Sequence, residues 1–280
     1  MYVNQMSITH QPMEGVKQMK PALEISEIGH LTRNFRFTTR ESSNHKGSIN
    51  AAALSNSEKC LAYIKDIEEV FDSPSAIVTA SQFSKRYSFL TAAPCLYAMS
   101  VFSKGMDLSI ENTYIEADFL CDQWVPDLRL SDLRVSMPNQ NRFEWRERVL
   151  TSLFSGNITK IWDSLSAATR VPKAILWENT AVYVFWLYEK KIGEKLELEA
   201  ISRAEEDFHY LINEAPGWVF GESENPLKKY YTSVGNEQSV RIRKTCCLYH
   251  KLKNSTDFCS NCPTGNCVFR NKKSANTKWK

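Results

Sequence analysis

Four cysteines near the end of the chain could meet at one metal centre. Cys246, Cys247, Cys259 and Cys262 fall within seventeen residues, and the polar residues 248–258 separate the Cys-Cys pair from the CxxC pair. That segment is long enough to fold back and bring the two pairs together. Because thiolate sulfur is a soft ligand, this set selects zinc or an iron–sulfur cluster. Ligand type alone does not decide between the two.

The Cys-Cys pair is the feature that helps to distinguish a zinc site from an iron–sulfur cluster. Structural zinc sites usually take their cysteines from two CxxC-like hairpins, and this chain has one such hairpin in the motif. Adjacent residues point about 180° apart in a strand and about 100° apart on a helix. Cys246 and Cys247 therefore suit a broad two-iron cluster better than one small ion, which favours [2Fe-2S] over zinc.

The same run resembles the terminal motif of the FhuF-like siderophore-iron reductases. The matching residues are Lys-Thr-Cys-Cys-Leu-Tyr at 244–249 and Cys-Ser-Asn-Cys-Pro at 259–263. The loop between them is slightly longer than the family's usual pattern. In that family the four cysteines ligate a [2Fe-2S] cluster. The resemblance therefore implies that Cys246, Cys247, Cys259 and Cys262 are its ligands and the redox centre.

Weaker likeness to this family extends upstream in the family's order. It comprises the segment 83–87, the end of an apolar helix at Lys104-Gly105, and Leu-Trp-Glu-Asn at 176–179. The family usually has glycine where this chain has Glu178. The resemblance implies one-electron reduction of an imported ferric siderophore, of hydroxamate or citrate type, in the cytoplasm. Candidate substrate contacts are the basic residues beside the motif and the polar or aromatic residues of the upstream segments: Arg243, Lys244, Arg86, Trp177 and Asn179.

An external protein must supply the electrons under this hypothesis. The ten glycines form neither GxGxxG nor GxxxxGK, so the usual cradle for a nicotinamide or nucleotide phosphate is missing. HExxH and GxSxG are also absent from the sequence. We therefore expect a donor such as a ferredoxin or a flavin reductase. His250, inside the loop between the cysteine pairs, could tune the cluster by hydrogen bonding.

Charge is distributed unevenly along the chain. The net charge is +3, but residues 241–280 hold ten Lys or Arg and one acidic residue, Asp257. Such a basic end is compatible with phosphate contacts to nucleic acid. We favour a local role instead, because positive charge stabilises a reduced cluster and attracts anionic ferric chelates or an acidic electron donor. A solvated tail is the third interpretation, and no nucleic-acid partner is predicted.

Two alternative functions remain open from the sequence. One is a zinc-stabilised binding module whose basic end contacts nucleic acid, and the other is an iron–sulfur redox sensor. The presence of a coloured cluster separates the reductase from the zinc module. Turnover with a ferric chelate separates it from the sensor.

The body that positions the cysteines is predicted to be mainly helical, in the α+β class. With 280 residues and 42% hydrophobic content, the chain can form a large core. We divide it into an irregular N-terminal segment 1–55, a mainly helical substrate-binding body 56–240 and a cluster segment 241–280. A β-hairpin or short sheet is expected between Asp107 and Met137, with its segments separated by Pro126.

Sequence patterns predict the helices of this body. Ser55 and Glu58 have capping-box spacing at the start of the first, and residues 75–103 are expected to form one or two helices, broken around Pro94. The later helices are expected at 142–155, at 157–169, from Pro172 to about residue 191 as the central buried helix, and at 198–212. The aromatic residues of 177–188 are assigned to core packing rather than to cofactor stacking.

The remaining expectations concern location and the other cysteines. The first nineteen residues lack an apolar run of signal-peptide length, and no stretch is long enough to span a bilayer, so the cytoplasm is expected. A reducing compartment makes disulfides the poorer explanation of eight cysteines. Cys60, Cys95 and Cys121 are expected in the core. Cys267 could be a spare thiol or an alternative ligand.

Overall fold

The computed structural model of the protein describes residues 21–42, 48–120, 123–193, 196–232, 240–253, 255 and 258–264. Helices dominate these residues, which confirms the predicted mainly helical α+β class. The α-helices in chain order are α1 Ile25–Phe35, α2 Ala51–Leu54, α3 Ser57–Val70, α4 Ala76–Val101, α5 Arg142–Leu153, α6 Thr159–Thr169, α7 Lys173–Trp186 and α8 Leu198–His209. The N-terminal segment 1–55, expected to be irregular, therefore contains the helices α1 and α2.

A small sheet covers one side of the helices. Its strands are β1 Phe37–Thr38, β2 Ile49–Asn50, β4 Thr113–Leu120 and β5 Gln123–Leu130, in the order β1-β5-β4-β2. The β4–β5 hairpin is antiparallel, with Ile115 opposite Leu128, and β1 pairs with β5 in parallel. Two further short strands, β3 Gly105–Met106 and β6 Val135–Ser136, form an antiparallel pair. The predicted hairpin is confirmed, although Pro126 lies inside β5 instead of separating two strands.

The longest helix, α4, is continuous through Pro94, so the predicted break is wrong. Proline removes one backbone N–H and normally costs about 3 kcal/mol inside a helix. Here α4 is buried almost all round and packs against α1, α3, α5, α6, α7 and α8. Tertiary packing over twenty-six residues outweighs the local cost.

The start of α3 also differs from the prediction. Asn56, not Ser55, is the N-cap, and its side-chain oxygen accepts hydrogen bonds from the backbone N–H groups of Glu58 and Lys59. Ser55 ends the short helix α2 instead. The buried face of α3 consists of Cys60, Tyr63, Ile64 and Ile67, with Phe71 buried just after the helix. The helix was predicted correctly, but its N-cap lies one residue later than predicted.

Three π-helical turns in the described residues extend or join the later helices. Phe154–Ile158 connects α5 to α6, Leu187–Lys191 continues α7, and Tyr210–Glu214 continues α8. These turns explain why the sequence pattern predicted helices to about residues 191 and 212. The gap predicted between 155 and 157 is filled by helical backbone.

One hydrophobic cluster runs through the described residues and includes side chains from both helices and sheet. The helices α4 and α7 pack along each other at its centre, so α7 shares the central position predicted for it with α4. Cys60 and Cys95 are fully buried in this core, as predicted, whereas Cys121 and Cys267 lie outside the described residues. No helix in the described part of the chain is both long and apolar enough to cross a membrane.

Candidate metal centre and the adjoining cavity

The Cys-Cys pair sits on a tight backbone turn. Leu248, the next residue, has φ 62°, a left-handed conformation that is unfavourable by about 1 kcal/mol for a residue with a side chain. The turn directs two backbone N–H groups at sulfur. That of Leu248 lies 3.4 Å from the Cys246 Sγ atom, and that of Tyr249 donates to Cys247. Backbone donors of this kind stabilise negative charge on thiolate sulfur.

The CxxC pair is formed by a separate turn. The backbone N–H of Cys262 donates to the Cys259 carbonyl oxygen at 2.9 Å. The backbone N–H of Arg243 donates to the Asn261 carbonyl oxygen at 3.0 Å, which ties this turn to the segment leading into Cys246. The loop therefore folds back as the sequence predicted.

The sulfurs approach one another in two pairs, each taking one cysteine from each motif half. The Sγ atoms of Cys247 and Cys259 are 3.6 Å apart, and those of Cys246 and Cys262 interact by hydrogen bonding. Cys247 and Cys262 are each 1% exposed, while the other two are partly exposed. Among the described residues, no three His, Cys, Asp or Glu side chains are placed to hold a single metal ion. The six described cysteines are free thiols.

Helix α4 fixes the Cys247 backbone from beneath. The Ser81 hydroxyl and the Gln82 side-chain amide both donate to the Cys247 carbonyl oxygen, each at 2.7 Å. All of these groups are buried. Two donors on one carbonyl leave the Cys247 peptide little freedom to rotate.

Helix α7 holds the residues just before the cysteines. The Glu178 carboxylate accepts the backbone N–H groups of Lys244 and Thr245, each at 2.6 Å, and also the Thr245 hydroxyl. Its neighbour Asn179 accepts a hydrogen bond from the Arg243 guanidinium at 2.7 Å. We call Glu178, Asn179 and Arg243 the clamp.

The clamp is buried and its members satisfy one another. Asn179 also donates its side-chain amide to the Ser84 hydroxyl at 2.7 Å and to the Ser81 carbonyl oxygen at 3.0 Å. Arg243 donates to the Thr245 carbonyl oxygen and lies 3.8 Å from the Glu178 carboxylate. The side chains of Arg243 and Glu178 are 3% and 4% exposed. Buried charges persist when they are paired and hydrogen-bonded in this way.

The electrostatic surroundings favour thiolate at Cys247. The hydrogen bond from the Cys259 thiol, the positive charges of Lys85 and Arg243 and the Tyr249 N–H together lower the pKa of Cys247 to about 5. The Cys259 thiol donates that bond, which raises its own pKa. Burial raises the pKa of Cys246. A thiolate is the form that ligates metal.

His250 lies against both halves of the motif. Its Nδ1 atom is 3.6 Å from the Cys246 sulfur, and its ring stacks on Phe258 with the centroids 4.8 Å apart. The position agrees with the hydrogen-bonding role considered from the sequence. The tuning effect itself stays a prediction.

A cavity of about 640 Å³ opens next to the Cys-Cys turn. Tyr249, two residues after Cys247, forms part of its wall, and the Lys85 ammonium lies 5.3 Å from the Tyr249 ring centroid. The other lining residues come mostly from α4, β5, α7 and the end of α3: they include Phe71, Arg86, Phe89, Trp124, Val125 and Tyr183. The α7 aromatic segment was assigned to core packing, yet Tyr183 lines this cavity.

The five predicted substrate contacts lie in three different environments. Arg243 and Asn179 are buried in the clamp, and Trp177 is 2% exposed with its indole N–H donating to Glu222 at 3.0 Å. Lys244 is exposed, and its ammonium donates to the Lys229 carbonyl oxygen. Arg86 alone of the five lines the cavity beside the cysteines.

Comparison with known protein families identifies both parts of this arrangement. Residues 81–237 match the family described as ferric iron reductase FhuF-like transporter, and residues 243–263 match the FhuF 2Fe-2S C-terminal domain. The chain belongs to the FhuF-like ferric iron reductase family. The first match covers the cavity-lining residues of α4 and α7, and the second covers the four cysteines. Among curated proteins, none matches the chain.

Family membership names the cofactor as a [2Fe-2S] cluster, in agreement with the sequence prediction. The donor set fits it, because four cysteine sulfurs are gathered in two pairs with backbone N–H groups directed at them. The assignment of Cys246, Cys247, Cys259 and Cys262 as its ligands stays a prediction. So does the division of the chain at residues 55 and 240.

Several residues of the site were not found by sequence reasoning. Ser81 and Gln82, which hold the Cys247 carbonyl, lie in an apolar helix without a motif of their own. Glu178 was noted as a departure from the family pattern, and that unusual acid at an apolar helix was a usable signal for a buried partner. Trp124 and Phe71 come from a strand and a helix end, so only the fold brings them together.

Proposed function

We propose that the protein is a ferric-siderophore reductase that works in the cytoplasm and passes one electron to Fe(III) in an imported siderophore. The observation that carries the proposal is the position of the four cysteines beside an open cavity in a chain of the ferric reductase family. Cys246, Cys247, Cys259 and Cys262 are proposed as the cluster ligands. The siderophore is proposed from the family resemblance to be of hydroxamate or citrate type.

The chemistry is a balanced transfer of one electron. When bound, the [2Fe-2S] cluster supplies the electron that converts Fe(III) to Fe(II), and an external donor such as a ferredoxin or a flavin reductase restores it. Hard oxygen donors hold the larger, less charged Fe(II) more weakly than Fe(III). Reduction thereby loosens the chelate and releases the iron.

The chain's own residues hold this centre in place. The clamp fixes the segment before Cys246, the Ser81 and Gln82 side chains fix the Cys247 carbonyl, and the turn at Leu248 aims backbone N–H groups at sulfur. A rigid support of this kind keeps the geometry of the centre unchanged when its charge changes. Its two partly exposed cysteines, Cys246 and Cys259, leave a short path for electrons to the surface.

Anaerobic purification followed by metal analysis tests the proposal first. We expect about two irons and two sulfides per chain, a visible band that bleaches on reduction and a one-electron EPR signal. The prereduced protein, mixed with a ferric siderophore and an Fe(II) trap, should then yield one Fe(II) per cluster. A colourless protein with one zinc after attempted reconstitution would contradict the proposal and favour the binding module. A cluster that reduces no ferric chelate would instead leave the redox sensor.

A further inference from the structure

The cavity beside the Cys-Cys turn has an arginine side chain on its wall. Arg86, on α4, is half-buried, and its guanidinium lies 4.5 Å from the Phe71 ring centroid and 5.9 Å from that of Trp124. Its side-chain hydrogen bond is a long one of 3.4 Å, to the Gln82 carbonyl oxygen of the preceding turn. In the part of the chain that the structure describes, no carboxylate forms an ion pair with Arg86.

The other charges on the cavity wall are already paired. Arg36 forms an ion pair with Asp127 at 2.7 Å, and Asp72 forms one with Lys253 at 2.8 Å. The Phe71 and Trp124 rings lie at cation–π distance from the Arg86 guanidinium, which keeps donor capacity for a ligand beyond its long hydrogen bond to Gln82. A desolvated guanidinium favours carboxylate oxygen above uncharged acceptors.

The remaining wall is suited to the body of a small molecule. Aromatic and aliphatic side chains line most of it, including Phe89, Tyr183 and Val125, and its volume of about 640 Å³ lies within the usual range for ligand sites. The cavity also adjoins the cysteines. Tyr249 belongs both to its wall and to the turn after Cys247, and the charges of Arg86 and Cys247 both act on the Tyr183 hydroxyl.

We propose that this cavity binds the ferric substrate, and that Arg86 selects chelates made net-negative by carboxylate groups over uncharged chelates. The proposal rests on the proposed function and names the place and the charge of its substrate. Arg86 binds the carboxylate, and the aromatic and aliphatic wall covers the arms of the chelator. Iron is thereby held next to the Tyr249 face of the cysteine site. Of the two siderophore types considered, the citrate type carries the required charge.

Gallium complexes test binding without electron transfer, because Ga(III) is not reduced under these conditions. The probes are the Ga(III) complex of a citrate-centred dihydroxamate, which is anionic, and that of a trihydroxamate, which is uncharged. Titration calorimetry with the cluster-loaded protein should show tighter binding of the anionic probe. We expect Arg86→Gln to weaken that binding about tenfold and to change the uncharged probe less than about twofold. The visible and EPR spectra of the Arg86→Gln protein should match those of the wild type.

Two further variants separate the cavity from general effects. Val125→Trp, at a half-buried wall position on β5, should weaken both probes because it fills the cavity. Arg148→Gln removes one positive charge from an exposed position on α5, where Glu144 lies at 4.0 Å, and should weaken neither probe. Together they distinguish loss of the binding space from loss of net charge.

The outcomes separate this inference from the proposed function. If the protein reduces the corresponding ferric chelates while Arg86→Gln and Val125→Trp bind both probes as the wild type does, the cavity assignment is overturned and the function stands. Wild-type protein that binds neither probe also overturns it. Tight binding of the anionic gallium complex without reduction of the corresponding ferric chelate would support the cavity as its binding site and contradict the reductase function. If flavin mononucleotide binds in the cavity and neither gallium probe does, the cavity belongs to the electron donor and the substrate assignment is overturned.

Discussion

Two arginines flank the Cys-Cys turn and have opposite environments. Arg243 precedes it, is buried, and has hydrogen bonds to Asn179 and Thr245 with the Glu178 carboxylate 3.8 Å away. Arg86 lies on the other side, half-buried against aromatic rings, with no ion pair among the described residues. A saturated buried cation stabilises the protein's own structure, whereas an unsaturated one retains capacity for a ligand. The comparison therefore supports a positioning role for Arg243 and the proposed recognition role for Arg86.

The largest expected effect comes from removing the cysteine centre that lies between the two arginines. Cys259→Ser should abolish the cluster and ferric reduction, because an alcohol oxygen is a poorer soft-metal ligand than thiolate. Iron and sulfide analysis of the purified variant checks this. Cys60→Ala is the matched control: that thiol is buried in α3 away from the motif, so it should lower stability without changing the iron content. A Cys259→Ser protein with full reductase activity would sink the ligand assignment.

The next effect is on stability and distinguishes the clamp from the cavity. Arg243→Met should lower the free energy of unfolding by about 2–4 kcal/mol, because it leaves Asn179 and the Glu178 carboxylate buried without their cation. It should also speed loss of iron to a chelator. Denaturant unfolding of the wild type, Arg243→Met and the exposed control Arg148→Met provides the measurement. Equal midpoints for the first two would mean that the clamp is not supporting the site.

Glu178 allows the clamp to be tested as a unit. Glu178→Gln keeps the shape of the side chain but leaves one oxygen in place of the two carboxylate oxygens that accept the Lys244 and Thr245 N–H groups. We therefore expect the free energy of unfolding to fall by about 1–3 kcal/mol. Because Glu178 and Arg243 share one network, the double variant should be destabilised by less than the sum of the two single variants. Strict additivity in the unfolding free energies would show that the two side chains act independently.

Arg86→Gln should change the stability little in the same unfolding experiment. Removing the desolvated cation should stabilise the protein, and losing its two cation–π contacts should destabilise it. Because these effects oppose each other, the free energy of unfolding should stay within about 1 kcal/mol of the wild type. Burial already lowers the pKa of Arg86, the direction expected for a cation that gains little from its surroundings. A loss as large as that of Arg243→Met would place Arg86 in the structural support and remove the contrast between them.

The cysteine motif and the helical body could be predicted from the sequence because both depend on local spacing. Sulfur spacing over seventeen residues fixes which thiols can meet, and apolar periodicity identifies helices such as α3 and α8. Continuity of α4 through Pro94 could not be predicted, since it depends on packing from six other helices. The clamp and the cavity likewise join residues far apart in sequence. Arg243 was therefore predicted to bind substrate from its proximity to the motif, although its guanidinium points into the protein.

The smallest expected effect concerns His250, which contacts the centre from the loop. A hydrogen bond from its ring to the Cys246 sulfur would withdraw charge from that ligand and favour the reduced cluster. His250→Ala should therefore lower the midpoint potential by roughly 40 mV, the equivalent of about 1 kcal/mol for one electron, the size of a modest hydrogen bond. Redox titration followed by EPR measures the shift, and His209→Ala, an exposed position on α8, is the control. Since His250 belongs to neither the clamp nor the cavity, its variant should leave both unfolding and gallium-chelate affinity unchanged. A change in either would show that the loop couples the two sides.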